Sequence, residues 1–142
     1  MRTNSKMPGS SLWLLPPPNT PLNNDLQTLI TETLPSRFSE TKAHNFIPHV
    51  TLTSNVPASI HFPDPQAWLD GLHLPVSTTI TAEVTAVDPD DKFFKKLTLR
   101  LKKDGGLVDL ATACRAQGVL DGDDAGAKRW AEDEYLPHLS LM

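Results

Sequence analysis

The alternation of apolar and polar positions along the chain predicts short strands and helices that follow one another irregularly. An apolar run at residues 11–15, followed by three prolines, predicts a short buried strand. A capping residue and a proline then open a helical pattern over 21–34, with its leucines and isoleucine on one face. We expect Pro35 to end this helix and residues 36–45 to form a loop.

Period-two alternation predicts the remaining strands. It is clearest over 46–56, extends over 76–87 and 92–102, and returns in the last five residues. The sequence Pro-Asp-Asp at 89–91 separates the two long runs, which favours a hairpin with its turn at that point.

Two more helices complete the predicted elements. One begins at a capping aspartate followed by proline and covers 64–72, and the other covers 106–117 and stops at Gly118. Residues 121–126 are expected to form an acidic, flexible loop and 127–134 a short polar turn. The strands are too unevenly connected for regular βαβ winding, so the pattern predicts an α+β fold.

The composition is that of one folded domain. The chain has 142 residues, of which 39% are hydrophobic and 21% charged, so it can bury a core. We expect residues 1–10 to form a flexible leader and 11–142 to form the domain. The single cysteine, Cys114, lies on an apolar helical face, and a lone cysteine excludes both an internal disulfide and a cysteine-rich zinc module.

Charge and hydropathy restrict the class of partner. A formal net charge of −4 argues against a protein that holds long nucleic acid by phosphate neutralisation, but it allows a small anionic substrate in a local site. The apolar run at 12–15 is far shorter than the roughly 18 residues that span a bilayer, and it is too short for a signal peptide. We therefore expect a cytoplasmic monomer without a membrane span, and association with an endomembrane stays open.

A repeated pentapeptide is the most informative feature of the chain. Residues 48–52 read Pro-His-Val-Thr-Leu, and residues 137–141 read Pro-His-Leu-Ser-Leu. On a strand, the histidine and the hydroxyl residue lie on one face, about 6.6 Å apart along the chain. Two such His-x-hydroxyl matches arise by chance in fewer than about one chain in a hundred of this composition.

Two His-x-hydroxyl strands carry the groups that phosphodiester hydrolysis requires. In-line attack needs one group that deprotonates water and another that protonates the leaving oxygen, and histidine titrates near neutrality and suits both tasks. The hydroxyls can donate hydrogen bonds to the non-bridging oxygens, where negative charge develops. Side by side, the two strands would supply the whole set without a metal or other cofactor, and we expect neither.

The paired motifs resemble the two His-x-Thr/Ser signatures that define the 2H phosphoesterase superfamily. Within it the chain is most similar to the fungal and plant 2′,3′-cyclic-nucleotide 3′-phosphodiesterases. The opening strand at 11–16, the residues 46–48 and 135–137 before the two motifs, and the aromatic pair at 93–94 also fit, so the resemblance covers about 11–142.

The resemblance implies a fold and an activity. The fold is α+β and bilobal, with two antiparallel sheets around a central cleft and helices outside. The activity is hydrolysis of 2′,3′-cyclic nucleotides to nucleoside 2′-phosphates, and opening of ADP-ribose 1″,2″-cyclic phosphate, a by-product of tRNA splicing. Small cyclic phosphates would then be the partners of this chain.

The resemblance also implies roles for five residues. His49 and His138 match the catalytic histidines and would be the acid and the base. Thr51 and Ser140 match the hydroxyl positions and would bind the phosphate oxygens. Trp13 falls near the family's cleft, where it would stack on a base or pack against a wall.

The chain departs from the family pattern after the second motif. Family members continue with a further helix and strands, whereas this sequence stops at Met142, so we expect the domain to lack those elements. We also expect the last strand to be poorly supported, with Leu139 and Leu141 exposed to solvent.

Two other functions stay open. One is a non-catalytic relative that binds a nucleotide or an RNA end. The other is a 2H phosphoesterase that processes RNA ends, although the acidic charge and the lack of a basic stripe favour small substrates.

The remaining polar candidates have weaker support. His44, His61 and His73 share no motif context, so we expect surface or structural roles for them. No histidine pair has the i,i+4 spacing of helical zinc ligands, which argues against a zinc site. For Lys96 and Arg100, a solvated strand face is favoured over contact with a phosphate.

Overall fold

The computed structural model describes residues 9–39, 45–75, 80–92 and 95–142, with only the backbone described at 90–92 and 95–96. The strands are β1 Ser10–Leu14, β2 Val50–Val56, β3 Val84–Lys92, β4 Lys95–Leu101 and β5 His138–Ser140. The helices are α1 Pro21–Thr28, α2 Leu34–Arg37, α3 Ala58–His61, α4 Pro65–Asp70, α5 Gly105–Gly118 and α6 Asp124–Asp133. The predicted α+β class is confirmed.

The strands form one five-stranded sheet in the order β1-β2-β5-β4-β3. The pairings of β2 with β5, β5 with β4 and β4 with β3 are antiparallel. The second sheet of the expected bilobal arrangement is not among the described residues. The order makes β2 and β5, the two strands that carry the motifs, direct neighbours.

Strand β5 is an inner strand, contrary to the expectation of poor support. It lies between β2 and β4, and Leu139 and Leu141 are each 6% exposed. The Leu141 N–H also donates to the carbonyl of Leu97 at 2.8 Å. The expectation that this strand is poorly supported and these leucines exposed is wrong: β5 is paired on both edges, and both side chains are buried.

Contacts divide the chain into two compact units. We call one the sheet unit, and its described residues are 13–39, 45–51, 81–92, 95–104 and 136–142. We call the other the helical unit, and its described residues are 9–12, 52–75, 80 and 105–135. The whole second motif belongs to the sheet unit, and so does the first motif as far as Thr51.

In the sheet unit, the helix that begins at Pro21 continues past the expected stop. The Thr20 hydroxyl caps α1 by accepting the Asn23 N–H at 3.3 Å. A π-helical turn, Leu29–Thr33, then joins α1 to α2. The prediction that Pro35 ends the helix is wrong, because proline lies in the first turn of α2, where a missing N–H is tolerated. The buried side chains of this helical segment, which covers residues 21–37, are Leu26, Ile30 and Leu34.

In the helical unit, α5 confirms the predicted helix over 106–117, and α4 confirms the helix expected from 64. The Asp64 carboxylate caps α4 by accepting the Ala67 N–H at 3.1 Å. The short helix α3 was not predicted. The buried side chains of α5 include Leu107, Leu110, Ala111 and Cys114.

Helix α6 replaces the loop and polar turn that the sequence pattern predicted for 121–134. The Asp123 carboxylate accepts the Gly126 N–H at 3.0 Å and begins the helix. Its buried residues are Ala127 and Ala131, one helical turn apart. The prediction is wrong because the segment is polar on average and its two buried residues are small, which obscures its helical periodicity.

Two predicted strands also differ from the structure. The strand expected over 76–87 begins at Val84, and 76–79 lie outside the described residues. The predicted hairpin is present as β3 and β4, but the expected turn at 89–91 belongs to β3, whose pairing is irregular between Pro89 and Lys92. Pro89 itself pairs with Leu97, and a proline is tolerated there because β3 is an outer strand of the sheet.

Strand β1 is more exposed than the buried strand that was predicted. Trp13 is 46% exposed and Leu15 is 50% exposed. The reason is that β1 is an outer strand of the sheet. Residues 1–8 of the expected leader, the aromatic pair at 93–94 and His44 lie outside the described residues.

Within the described ranges, none of the helices has both the length and the apolarity that crossing a bilayer requires.

Candidate active site

Strands β2 and β5 place the two motifs beside each other. Val50 of the first motif pairs with Leu139 of the second in antiparallel register. Both side chains are buried, at 5% and 6% exposure. Since successive residues of a strand point to opposite faces, the polar motif residues on either side of this pair point away from the buried face.

On that polar face the register crosses the two motifs. One step from the Val50–Leu139 pair, His49 lies across from Ser140, and Thr51 lies across from His138. In antiparallel strands, directly opposed Cβ atoms are about 4.5–5.5 Å apart and diagonal ones about 7–8 Å. The histidines therefore occupy one diagonal and the hydroxyls the other, so that a local twofold axis relates the motifs.

The same backbone hydrogen bond orients both imidazoles. Nδ1 of His49 donates to the carbonyl of Ile47 at 2.7 Å, and Nδ1 of His138 donates to the carbonyl of Leu136 at 2.9 Å. Because a carbonyl oxygen can only accept, Nδ1 carries a proton in each ring. Nε2 is then the atom at which each ring takes up or releases a proton.

Two aromatic side chains contact His49. The indole of Trp13 stacks on the imidazole, with ring centroids 3.9 Å apart and 20° between the planes. The ring of Phe46 meets the imidazole edge to face, at 6.0 Å and 81°. The ring of His49 is thus held by aromatic contacts as well as by the bond to Ile47. The family resemblance implied that Trp13 lies near the cleft, but it did not predict this contact.

Strand β4 adds further polar groups to the same face. In the β4–β5 register, Arg100 pairs with His138 and Thr98 pairs with Ser140. Directly paired residues project to the same side of a sheet. Arg100 also donates two hydrogen bonds to the Asp88 carboxylate of β3, at 2.8 and 2.7 Å. The guanidinium is therefore fixed in orientation beside the second motif.

A cleft of about 660 Å³ opens in the sheet unit beside His138. Its polar lining consists of Thr85, Asp88, Thr98, Arg100, Lys102, Lys103 and His138. His49, Thr51, Ser140 and Trp13 are not among the described lining residues, so the cleft extends from the second motif only. The side chain of Arg100 is 61% exposed, so it is accessible to solvent and to a ligand in the cleft.

Asp88 and Thr98 are site residues that the sequence pattern did not indicate. Asp88 lies on β3 and Thr98 lies on β4, and the two residues pair with each other. The available signal was the alternation in β4, which places Thr98 on the face of Arg100. What no local pattern indicates is that this face adjoins His138, because that depends on the pairing of β4 with β5.

The other histidines in the described residues, His61 and His73, belong to the helical unit. Nε2 of His61 contacts the Ser10 hydroxyl at 3.2 Å. The backbone N–H of His73 donates to the Gln117 side chain at 2.9 Å. The structural or surface roles expected for these two side chains stay a prediction.

Cys114 also belongs to the helical unit. It is buried in α5, and burial raises the pKa of its thiol from 9.0 to about 11. A raised pKa keeps the thiol protonated and lowers its reactivity. This agrees with the packing role expected from its apolar helical face.

A metal site would require several ligating side chains close together. Among the residues that the structure describes, no group of three or more His, Cys, Asp or Glu side chains is arranged to hold a metal ion. Whether catalysis is independent of metal stays a prediction, which an assay can test.

Comparison with known proteins assigns the chain to a family. Residues 7–142 match the family model described as cyclic phosphodiesterase-like protein. The chain therefore belongs to the cyclic phosphodiesterase-like family, as its two motifs predicted.

Three curated relatives carry the name 2′,3′-cyclic-nucleotide 3′-phosphodiesterase. The protein of Phaeosphaeria nodorum is 46% identical over 136 residues, covering 96% of this chain and 69% of the relative. That of Neurospora crassa is 39% identical over 150 residues, covering 96% and 71%. That of Yarrowia lipolytica is 30% identical over 161 residues, covering 94% and 72%.

Proposed function

We propose that the chain hydrolyses 2′,3′-cyclic nucleotides to nucleoside 2′-phosphates, with His49 and His138 as the acid and base pair. The observation that carries the proposal is the crossed register of the two motifs, together with the matching Nδ1 hydrogen bonds. The names of the fungal relatives, which cover most of this chain, support the same activity.

In the proposed reaction the two histidines act at Nε2 on opposite sides of the phosphorus. One takes a proton from water as the water oxygen forms a bond to phosphorus. The other gives its proton to the 3′ oxygen as the P–O3′ bond breaks, which leaves a 3′-hydroxyl and a 2′-phosphate. The diagonal of about 7–8 Å between the histidine Cβ positions leaves room for a phosphate between the rings.

Thr51 and Ser140 are proposed to donate hydrogen bonds to the non-bridging phosphate oxygens. They occupy the other diagonal of the same four-residue array, between the two histidines. Donors already in place stabilise the charge that develops on these oxygens without reorganisation during the reaction. Each hydroxyl therefore serves as an electrostatic partner and not as a nucleophile.

The substrates that we propose are small. The formal net charge of −4 disfavours a long polyanion, whereas a single cyclic phosphate needs only a local site. ADP-ribose 1″,2″-cyclic phosphate is a second proposed substrate, since its cyclic phosphate presents the same group to the histidines. Trp13 is proposed to contact the base with the face of its indole that does not stack on His49.

The test is to incubate the purified protein with 2′,3′-cyclic AMP in the presence of EDTA and to identify the product by ³¹P NMR. We expect 2′-AMP as the single product, formed at the same rate with or without EDTA. Formation of 3′-AMP, or binding of the nucleotide without turnover, would contradict the proposed reaction. Loss of activity in EDTA that zinc restores would contradict the metal-independent mechanism.

A further inference from the structure

Cations outnumber carboxylates among the described residues that line the cleft beside His138. The whole sequence has a net charge of −4, whereas these lining residues include three cations, Arg100, Lys102 and Lys103, and one carboxylate, Asp88. A concave surface with one prevailing sign attracts ligands of the opposite charge. The cleft is therefore suited to an anion.

The position of the cleft connects it with the reacting phosphate. Arg100 of β4 pairs directly with His138 of the adjacent strand β5, and neighbouring strands are about 4.8 Å apart. A substrate whose cyclic phosphate lies at His138 would therefore extend into the cleft through another of its substituents.

Two substituents of a cyclic nucleotide can extend from the ribose, namely the base and the group on the 5′ carbon. No Trp, Tyr or Phe is found among the described residues that line the cleft, so these residues offer no stacking surface for a base. Such a surface exists at the other motif, where Trp13 lies on His49. The cleft therefore suits the 5′ group, and its lysines and arginine suit a phosphate there.

The existing ion pairs allow this binding. Asp88 fixes Arg100 through two short hydrogen bonds, which orients the guanidinium before a ligand arrives. Lys102 is held loosely, since its ammonium lies 3.8 Å from Glu83 and both side chains are more than half exposed. An exposed pair of this kind contributes little, so Lys102 can exchange Glu83 for a phosphate at little cost.

We propose that this cleft is a binding subsite for a phosphate on the 5′ carbon of the substrate, so that 5′-phosphorylated cyclic nucleotides are preferred. The proposal rests on the proposed function, because it takes the cyclic phosphate to lie at His138. It assigns to Arg100, Lys102 and Lys103 the discrimination between a 5′-phosphate and a 5′-hydroxyl.

The first experiment compares kcat/KM for 2′,3′-cyclic AMP with and without a 5′-phosphate. We expect the phosphorylated substrate to be favoured about tenfold, because a charge-assisted hydrogen bond contributes on that order. The preference should lie in KM and should weaken with added salt. A ratio near one in the native chain would overturn the proposal.

A matched pair of variants locates the effect. Lys102→Gln removes one charge in the cleft, and Lys128→Gln removes one charge from an exposed position of α6 in the helical unit. In Lys102→Gln, we expect the ratio of kcat/KM for the 5′-phosphorylated substrate to kcat/KM for the 5′-hydroxyl substrate to fall about threefold or more. It should stay at the native value in Lys128→Gln, and an equal fall in both variants would contradict the subsite.

A binding measurement separates failure of the subsite from failure of the proposed function. Titration calorimetry with 2′-AMP and with adenosine 2′,5′-bisphosphate requires no turnover. We expect the bisphosphate to bind about tenfold more tightly to the native chain, and the advantage to shrink in Lys102→Gln. Equal affinity for both ligands would overturn the subsite, whether or not the protein hydrolyses cyclic nucleotides.

Discussion

The indole of Trp13 lies flat on the imidazole of His49, with 3.9 Å between the ring centroids and 20° between the ring planes. The Ile47 carbonyl fixes the same imidazole in its plane through Nδ1. His138 has the equivalent hydrogen bond to Leu136, so the two rings share an orienting bond, and His49 has an aromatic support in addition.

This stacking predicts a role for Trp13 in holding His49. Trp13→Ala should lower kcat by about tenfold, because a misplaced imidazole loses alignment with the reacting atoms. Trp13→Phe retains a ring at this position and should recover most of the loss. Steady-state kinetics with 2′,3′-cyclic AMP measure both values. If Trp13→Ala changes KM alone, Trp13 contributes only its proposed contact with the base and does not position His49.

The two hydroxyls should contribute to the transition state more than to substrate binding. Thr51→Ala and Ser140→Ala should each lower kcat by up to about 10²–10³ as lost oxyanion donors. The conservative changes Thr51→Ser and Ser140→Thr keep a donor and serve as controls. An alanine variant with the kcat of its control would show that the hydroxyl does not bind the developing charge.

The proposed pair of histidines predicts a bell-shaped dependence of the rate on pH. One ring must be neutral to accept a proton while the other is protonated to give one, so the rate should fall on both sides of an optimum. The profile of kcat/KM belongs to the pair and not to either ring alone. A flat profile between about pH 5 and pH 9 would contradict acid–base catalysis by two histidines.

Burial of Cys114 predicts that stability falls in alkali. The thiol pKa is raised from 9.0 to about 11 in the folded chain, so the unfolded state loses its proton first. The contribution is fully present below pH 9.0 and is lost as the pH rises toward 11. It amounts to about 2–3 kcal/mol of unfolding free energy.

Urea unfolding of the native chain and of Cys114→Ala between about pH 8 and pH 10 measures this effect. The native unfolding free energy should fall more steeply with pH than that of the variant. Burial, and to a smaller extent the Cys114 thiolate, also raises the pKa of Tyr135, from 10.0 to about 12, and this affects stability only above about pH 10. Parallel curves would show that Cys114 does not cause the loss.

The features that the sequence predicted correctly depend on neighbouring residues. The cap at Thr20 and the cap at Asp64 are formed by side chains that bond to backbone three residues later. The alternation around His49 likewise follows from the geometry of a single strand. Each of these features is decided within one turn or one strand.

The features that it did not predict depend on distant pairing or on small side chains. The inner position of β5 follows from strands on both of its sides, and the cleft beside His138 follows from the approach of Arg100. Helix α6 buries the small side chains of Ala127 and Ala131 within a segment that is polar on average, so the sequence pattern predicted a loop and a turn there. The crossed arrangement of the motifs also needed the register of β2 and β5.

The most direct test of the account compares turnover in four single alanine variants, measured side by side with saturating 2′,3′-cyclic AMP as the substrate. His49→Ala and His138→Ala should each lower kcat by about 10²–10⁴, because each removes one of the two proton-transfer groups. His61→Ala and His73→Ala, in the helical unit, should keep kcat near the native value. A loss in His61→Ala or His73→Ala as large as that in His49→Ala, or native turnover in His138→Ala, would contradict the two-histidine site.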